Sequence, residues 1–147
     1  MIRPVLTLFC LKMMENHMNN NPLTKLREPS LLLDLQNNLI RIHRNTLSLL
    51  GNPEYIQILV NPDTALIAIR GCNKDDYRSE RIRWDTLRDN NKSCEFYSKS
   101  LIKTIRKVFF NNIATHKYHI TGKYVNSENL TLFNINAHKI MQEDEEF

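Results

Sequence analysis

Leu31-Leu32-Leu33-Asp34-Leu35-Gln36-Asn37-Asn38-Leu39-Ile40-Arg41-Ile42 is the stretch on which the fold turns. Two apolar runs flank an Asn-Asn pair, and asparagine tolerates the positive φ that a tight hairpin turn demands. The segment predicts a β-hairpin. Further along, Asn45 or Thr46 is placed to cap a short helix carrying Leu47, Leu49 and Leu50. Gly51-Asn52-Pro53 ends that helix, glycine supplying the left-handed terminus and proline forbidding continuation. Tyr55-Ile56-Gln57-Ile58-Leu59-Val60 then reads as a strand, Asn61-Pro62-Asp63-Thr64 as its turn and Ala65-Leu66-Ile67-Ala68-Ile69 as the return. Residues 30–70 thus run hairpin, short helix, hairpin.

The second half repeats that order with longer loops. Residues 71–93 are dense in charge around an apolar island, Ile82 and Trp84. Within them Arg81-Ile82-Arg83-Trp84 alternates like a strand, and Cys94-Glu95-Phe96-Tyr97 follows as another. Ser98 or Ser100 caps a helix with Leu101, Ile102, Ile105, Val108 and Phe109 on one face. Tyr118-His119-Ile120 and Tyr124-Val125 flank a turn expected near Gly122. Asn126-Ser127-Glu128-Asn129 turns the chain into Leu130–Ile135. In this alignment Ile42 answers to Phe96, Ile58 to Ile120 and Ile67 to Leu132. A unit of about forty residues buries too little apolar surface to fold alone, whereas two interleaved units share one interior. The expected fold class is α+β, rich in strand, with two repeats at 30–70 and 94–140. Residues 1–29 are expected to be a poorly ordered leader, 71–93 a charged loop containing a strand, and 141–147 an acidic tail.

Composition narrows the function classes. The chain has 147 residues and 41% hydrophobic content, an ordinary globular level. Only Gly51, Gly71 and Gly122 are glycine, which argues against glycine-rich phosphate loops and dinucleotide fingerprints. Cys10, Cys72 and Cys94 lack Cys-x-x-Cys spacing and read as reduced thiols of a cytoplasmic protein. The five histidines show no helical ligand pair, so neither metal nor other cofactor is expected. The apolar run Pro4–Leu11 is too short to span a bilayer and lacks a cleavage site, so no membrane association is expected. Met13, Met14 and Met18 suggest a start downstream of that run. No serine elbow or Cys–His pattern accompanies these features, and the protein is expected not to be an enzyme.

Net charge is +4 and the pI about 9.0, although Glu143, Asp144, Glu145 and Glu146 end the chain. That balance favours an acidic partner such as nucleic acid. Asp34–Ile42, the helix ending at Leu50-Gly51, Tyr55–Val60, Asn61-Pro62-Asp63 and Leu66–Ile69 together resemble the swapped-hairpin unit of the AbrB/MazE family of bacterial DNA-binding proteins. The tandem arrangement is similar to that family's MraZ branch. The resemblance implies an AbrB-like barrel formed by a pseudo-dimer within one chain, a transcriptional regulator gripping double-stranded DNA with basic residues on one face. It departs from the family pattern where Asn37 and Asn38 replace a glycine-arginine turn, where His43 stands near the usual helix-opening proline, and where Leu47 and Ser48 replace an arginine pair.

The residues expected to contact DNA are Arg41, His43 and Arg44 at the start of the first helix and Lys99, Lys103, Arg106 and Lys107 on the second. Spacings of three and four bring the last three together on one helix face. Lysines on an amphipathic helix also serve plain solubility. The competing expectation is a non-catalytic protein-interaction or antitoxin-like module of the same fold, its charged loop and acidic tail engaging a protein partner. Either a monomeric pseudo-dimer or a homodimer satisfies this sequence. Tyr97, Tyr118 and Tyr124 are expected to fill cross-strand pairs, Trp84 to join the core, and His116 and His119 to lie at the surface.

Overall fold

In a computed structural model that describes residues 28–87, 93–110 and 116–141, the leucine-rich run forms the hairpin its pattern predicts. Strands β1 (Ser30–Asp34) and β2 (Leu39–His43) pair with Leu31 opposite Ile42 and Leu33 opposite Ile40. Asn38 takes the positive φ, +54°. The Asp34 carboxylate, 1% exposed, accepts hydrogen bonds from the Asn37 backbone at 3.1 Å and its side-chain amide at 2.9 Å. A buried acid thereby fixes the turn. The expected leader falls almost entirely on residues 1–27, and the tail on 142–147, outside the described residues.

Helix α1 (Arg44–Leu49) begins two to three residues earlier than its sequence predicts. The cap is His43, whose Nδ1 accepts from the Asn45 N–H at 3.1 Å, rather than Asn45 or Thr46. Those two residues tie the helix to β1 instead. The buried Thr46 hydroxyl accepts from the Ser30 N–H and donates to the Ser30 carbonyl, both at 3.0 Å. Asn45 donates its amide to the Glu28 carbonyl at 2.9 Å. Gly51 ends the helix at φ +83°.

The second hairpin, β3 (Tyr55–Asn61) with β4 (Leu66–Cys72), places Ile58 opposite Ile69 and Val60 opposite Ile67. Asn61 Oδ1 organises the turn by accepting from the Asp63 and Thr64 N–H groups, and Ala65 closes it at φ +55°. The strand expected over Arg81–Trp84 survives only as β5 (Glu80–Arg81). The chain leaves the sheet there because Ile82 and Trp84 bury inward, and the Trp84 indole N–H donates to the Pro53 carbonyl at 2.9 Å.

Strand β6 (Ser93–Tyr97) leads into helix α2 (Lys99–Phe109), followed by β7 (Lys117–Val125), β8 (Leu130–Asn134) and a short β9 (Lys139–Ile140) that no sequence pattern announced. The turn expected near Gly122 is absent: β7 is one continuous strand of nine residues. Gly122 is needed for proximity. A Cβ there would lie 2.2 Å from the Leu132 carbonyl oxygen and 2.6 Å from the Phe133 ring.

All strand pairs are antiparallel, and the sheet runs β5-β3-β4-β8-β7-β1-β2-β6, with β9 beside β7, curling into a half-barrel. The central strand β7 pairs with β1 through Lys117–Thr121 and with β8 through Gly122–Val125. Four pairings, β1–β7, β2–β6, β3–β5 and β4–β8, join residues 30–72 to residues 80–134. One face of the sheet builds the main core from Leu31, Leu33, Ile40, Ile42, Ile56, Ile67, Ile69, Ile120 and Phe133. Leu47 of α1 and Ile102 and Ile105 of α2 pack into it. The opposite face of β4, β7 and β8 carries a second, smaller cluster of Leu66, Ala68, Val125, Leu130 and Leu132, with Leu59 alongside.

Substituting Gly122→Ala is expected to destabilise the protein by about 3 kcal/mol, because the added methyl meets backbone that a sheet cannot move. Gly51→Ala, whose Cβ would meet nothing within 4 Å, is expected to cost only about 1 kcal/mol through its positive φ. Denaturant midpoints of the two variants give the comparison.

Candidate nucleic-acid interface

The geometry of α2 follows from its ends and its apolar stripe. Ser98 caps it, its hydroxyl accepting from the Leu101 N–H at 3.4 Å while its own N–H donates to the Asn38 carbonyl at 2.9 Å. Ile102 and Ile105 are fully buried, and this sets the helix's rotation about its axis. Lys99, Lys103 and Lys107 consequently lie on the solvent side, all exposed. They are four residues apart, so successive ammonium groups project from points about 6 Å apart along one face. Arg106 is turned the other way. It is half-buried and its guanidinium donates to the Leu35 carbonyl, fastening α2 to the end of β1.

The first basic group is differently employed. Arg41 sits opposite Glu95 in the β2–β6 ladder, and its Nε lies 2.8 Å from the Glu95 carboxylate. His43 caps α1, and Arg44, half-buried, is that helix's first residue. Because β2 and β6 are antiparallel, His43 faces Ser93 while Leu39 faces Tyr97. The two helices therefore start at opposite ends of this ladder, about 13 Å apart at 3.3 Å per residue. The structure gathers Lys99, Lys103 and Lys107 and sets Arg41, His43 and Arg44 apart from them.

Tyr97 takes the cross-strand place expected of it, opposite Leu39, yet it is 72% exposed, immediately before the lysine row. Strand alternation held the signal, since Cys94 and Phe96 face the core and Tyr97 must face outward. Tyr118 is buried against Phe110, with ring centroids 4.4 Å apart, and the Tyr124 hydroxyl donates to Asn129 Oδ1 at 2.7 Å. His116 is exposed and His119 half-buried.

The two described thiols are both shifted away from the thiolate. Burial pushes Cys94 up to about 11; the adjacent Glu95 carboxylate adds to the rise, and the Arg83 and Glu95 backbone groups oppose it. Burial also raises Cys72, helped by Asp76 and opposed by Arg70. A nucleophilic cysteine needs the reverse shift. Cys72 borders an open cleft of about 550 Å3 whose lining mixes Glu54, Asp76 and Glu128 with Arg70. Among the described residues no three His, Cys, Asp or Glu side chains cluster as metal ligands, and no helix is long and apolar enough to cross a membrane.

No protein-family model matches the chain, and no curated protein or solved structure matches it either.

Burial holds the folded Cys94 thiol at about 11, above the 9.0 of an ordinary thiol, so its contribution to stability is complete below about pH 9 and is lost as pH rises through about 11. The difference in unfolding free energy between the parent and Cys94→Ala should shrink over that window. Parallel denaturant titrations from about pH 8 to about pH 11 measure it.

Proposed function

We propose that the chain is an internally duplicated swapped-hairpin barrel that binds duplex DNA through the lysine row of α2. The observation carrying the DNA reading is the shared exposure of Lys99, Lys103 and Lys107 while Arg41 and Arg106 are held by Glu95 and the Leu35 carbonyl. Three cations at one-turn spacing on a helix anchored at both ends present fixed charge to a phosphate backbone. Tyr97 stands beside them as an exposed polar-tipped ring. Contacts of this kind orient a protein on DNA and carry no base preference of their own.

The duplication is supported by the pairing pattern. Exchanging β1, β2, α1, β3 and β4 for β5, β6, α2, β7 and β8 turns the β3–β4 pair into β7–β8 and the β3–β5 pair into β7–β1. The same exchange returns β2–β6 and β4–β8 to themselves. The two hairpin turns agree in detail, since Ala65 and Asn129 each hold positive φ immediately before the returning strand. In this superposition Ile56 answers to Ile120 and Ile69 to Phe133. Ile67 and Leu132, matched on sequence, lie on opposite faces of the sheet and do not correspond. A single chain thus supplies both units, in keeping with a cytoplasmic regulator that works as a pseudo-dimer.

The protein-interaction reading draws on a different observation, the 71% exposed Tyr77 within a charged loop whose Asn73, Lys74, Asp75, Asp76 and Arg78 are all exposed. Salt dependence separates the two. Binding of a labelled duplex, followed by anisotropy across a salt series, is expected to weaken steeply with salt. Changing Lys99, Lys103 and Lys107 together to alanine is expected to reduce the slope of log K against log salt by about 2.7, at about 0.9 per phosphate contact. Unaltered binding in that variant, or no salt-sensitive binding by the parent, refutes the lysine row. Sedimentation should give a particle of one chain, 17.4 kDa.

A further inference from the structure

The described elements bury one face of the sheet, and of the other face they visibly cover the β3 end, where Gln57 is buried and donates to the Tyr77 carbonyl at 2.6 Å. Leu66, Ala68, Val125, Leu130 and Leu132 alternate with the core-facing residues and point to the opposite side, as the pairing of Ala68 with Leu132 and of Val125 with Leu130 requires. Antiparallel sheets commonly leave such a face to water. Here Ala68 and Leu132 are 0% exposed, and the most open member of the cluster, Val125, reaches 5%. Side chains stand roughly perpendicular to a sheet, so lateral neighbours cannot seal them from above. A covering layer is required.

Neither α1 nor α2 supplies it. Leu47 of α1 and Ile102 and Ile105 of α2 belong to the main core, and among the described residues Leu59 is the one further apolar side chain packed on the second cluster. The cover must come from the rest of the chain or from outside it. Residues 88–92 and 142–147 are polar or acidic apart from Phe147, and residues 111–115 offer Ile113 as their one large apolar side chain. Residues 1–27 contain Pro4-Val5-Leu6-Thr7-Leu8-Phe9-Cys10-Leu11. That segment also joins the fold at the right place. The Pro29 carbonyl accepts from the Gly122 N–H at 2.8 Å, and Gly122 adjoins Lys123, which pairs with Leu132. Residues 12–28 span up to about 60 Å when extended, ample to return the run across β7 and β8.

We propose that the apolar run Pro4–Leu11 docks on the outer face of β4, β8 and β7 and forms a third layer of the fold. The run is then a structural part of the protein rather than a leader, and its seven-residue stretch Val5–Leu11 meets the second cluster as one apolar surface meets another.

The test uses the full chain carrying Cys72→Ser, with a nitroxide on Cys10. Cys94, buried and with its thiol pushed up, resists the label at neutral pH. Strong broadening of the methyl signals of Leu66, Val125, Leu130 and Leu132, with those of Leu101 retained, is the expected result. Undisturbed cluster methyls overturn the proposal. So does broadening that appears on unlabelled chains mixed with labelled ones, because the occupant is then a second copy. Independently, Leu6→Asp with Leu8→Asp in the full chain is expected to raise the fluorescence of an apolar-surface dye severalfold while the far-ultraviolet dichroism holds. Unchanged dye binding with the dichroism intact means that the run covers nothing.

Discussion

Strand pairing between the two halves is the constraint from which the rest of this structure follows. β1 lies between β2, its neighbour in sequence, and β7, more than eighty residues away, with Leu31 opposite both Ile42 and Ile120. Removing either neighbour leaves Leu31 and Leu33 facing water along one side and strips β1 of half its ladder. β4 stands in the same position between β3 and β8. Neither half closes a hydrophobic interior alone, and an unpaired sheet edge of this length is an open template for aggregation.

The interleaving also explains where the polar groups are placed. Asp34 is buried at the end of β1, a position that is tolerable because two hydrogen bonds from Asn37 and the Lys117 ammonium at 4.0 Å meet its carboxylate. Lys117 comes from the far half of the chain, so the charge pairing follows the strand pairing. Arg106 reaches the Leu35 carbonyl by the same logic. Its partner is out of reach until the second half has docked.

Much of this architecture was legible in local pattern. The Asn37-Asn38 and Asn61–Thr64 turns lie between alternating apolar runs, and each hairpin formed where those runs place it. Ser98 and the apolar stripe of α2 predicted both that helix and its exposed lysines. Features decided by tertiary proximity were hidden. Gly122 reads as a turn in sequence, yet it is glycine because the Leu132 carbonyl and the Phe133 ring crowd it. His43 displaces better-ranked caps because Thr46 is engaged by Ser30. Trp84 leaves its strand because the Pro53 carbonyl awaits its indole N–H. Arg106 looked like its lysine neighbours and differs only in having a backbone acceptor within reach.

The position of β1 at the heart of the sheet has a consequence for the chain during synthesis. Its residues leave the ribosome early, but Lys117–Thr121, which completes its ladder, is made roughly 4 to 18 seconds later at ordinary elongation rates. For most of that interval the leucines of the first hairpin have neither β6 and β7 beside them nor the helix that caps their end. The nascent polypeptide therefore waits, greasy strand outermost, for its own C-terminal third. The time spent waiting, rather than the stability finally reached, is when this fold is most exposed to chaperones and proteases.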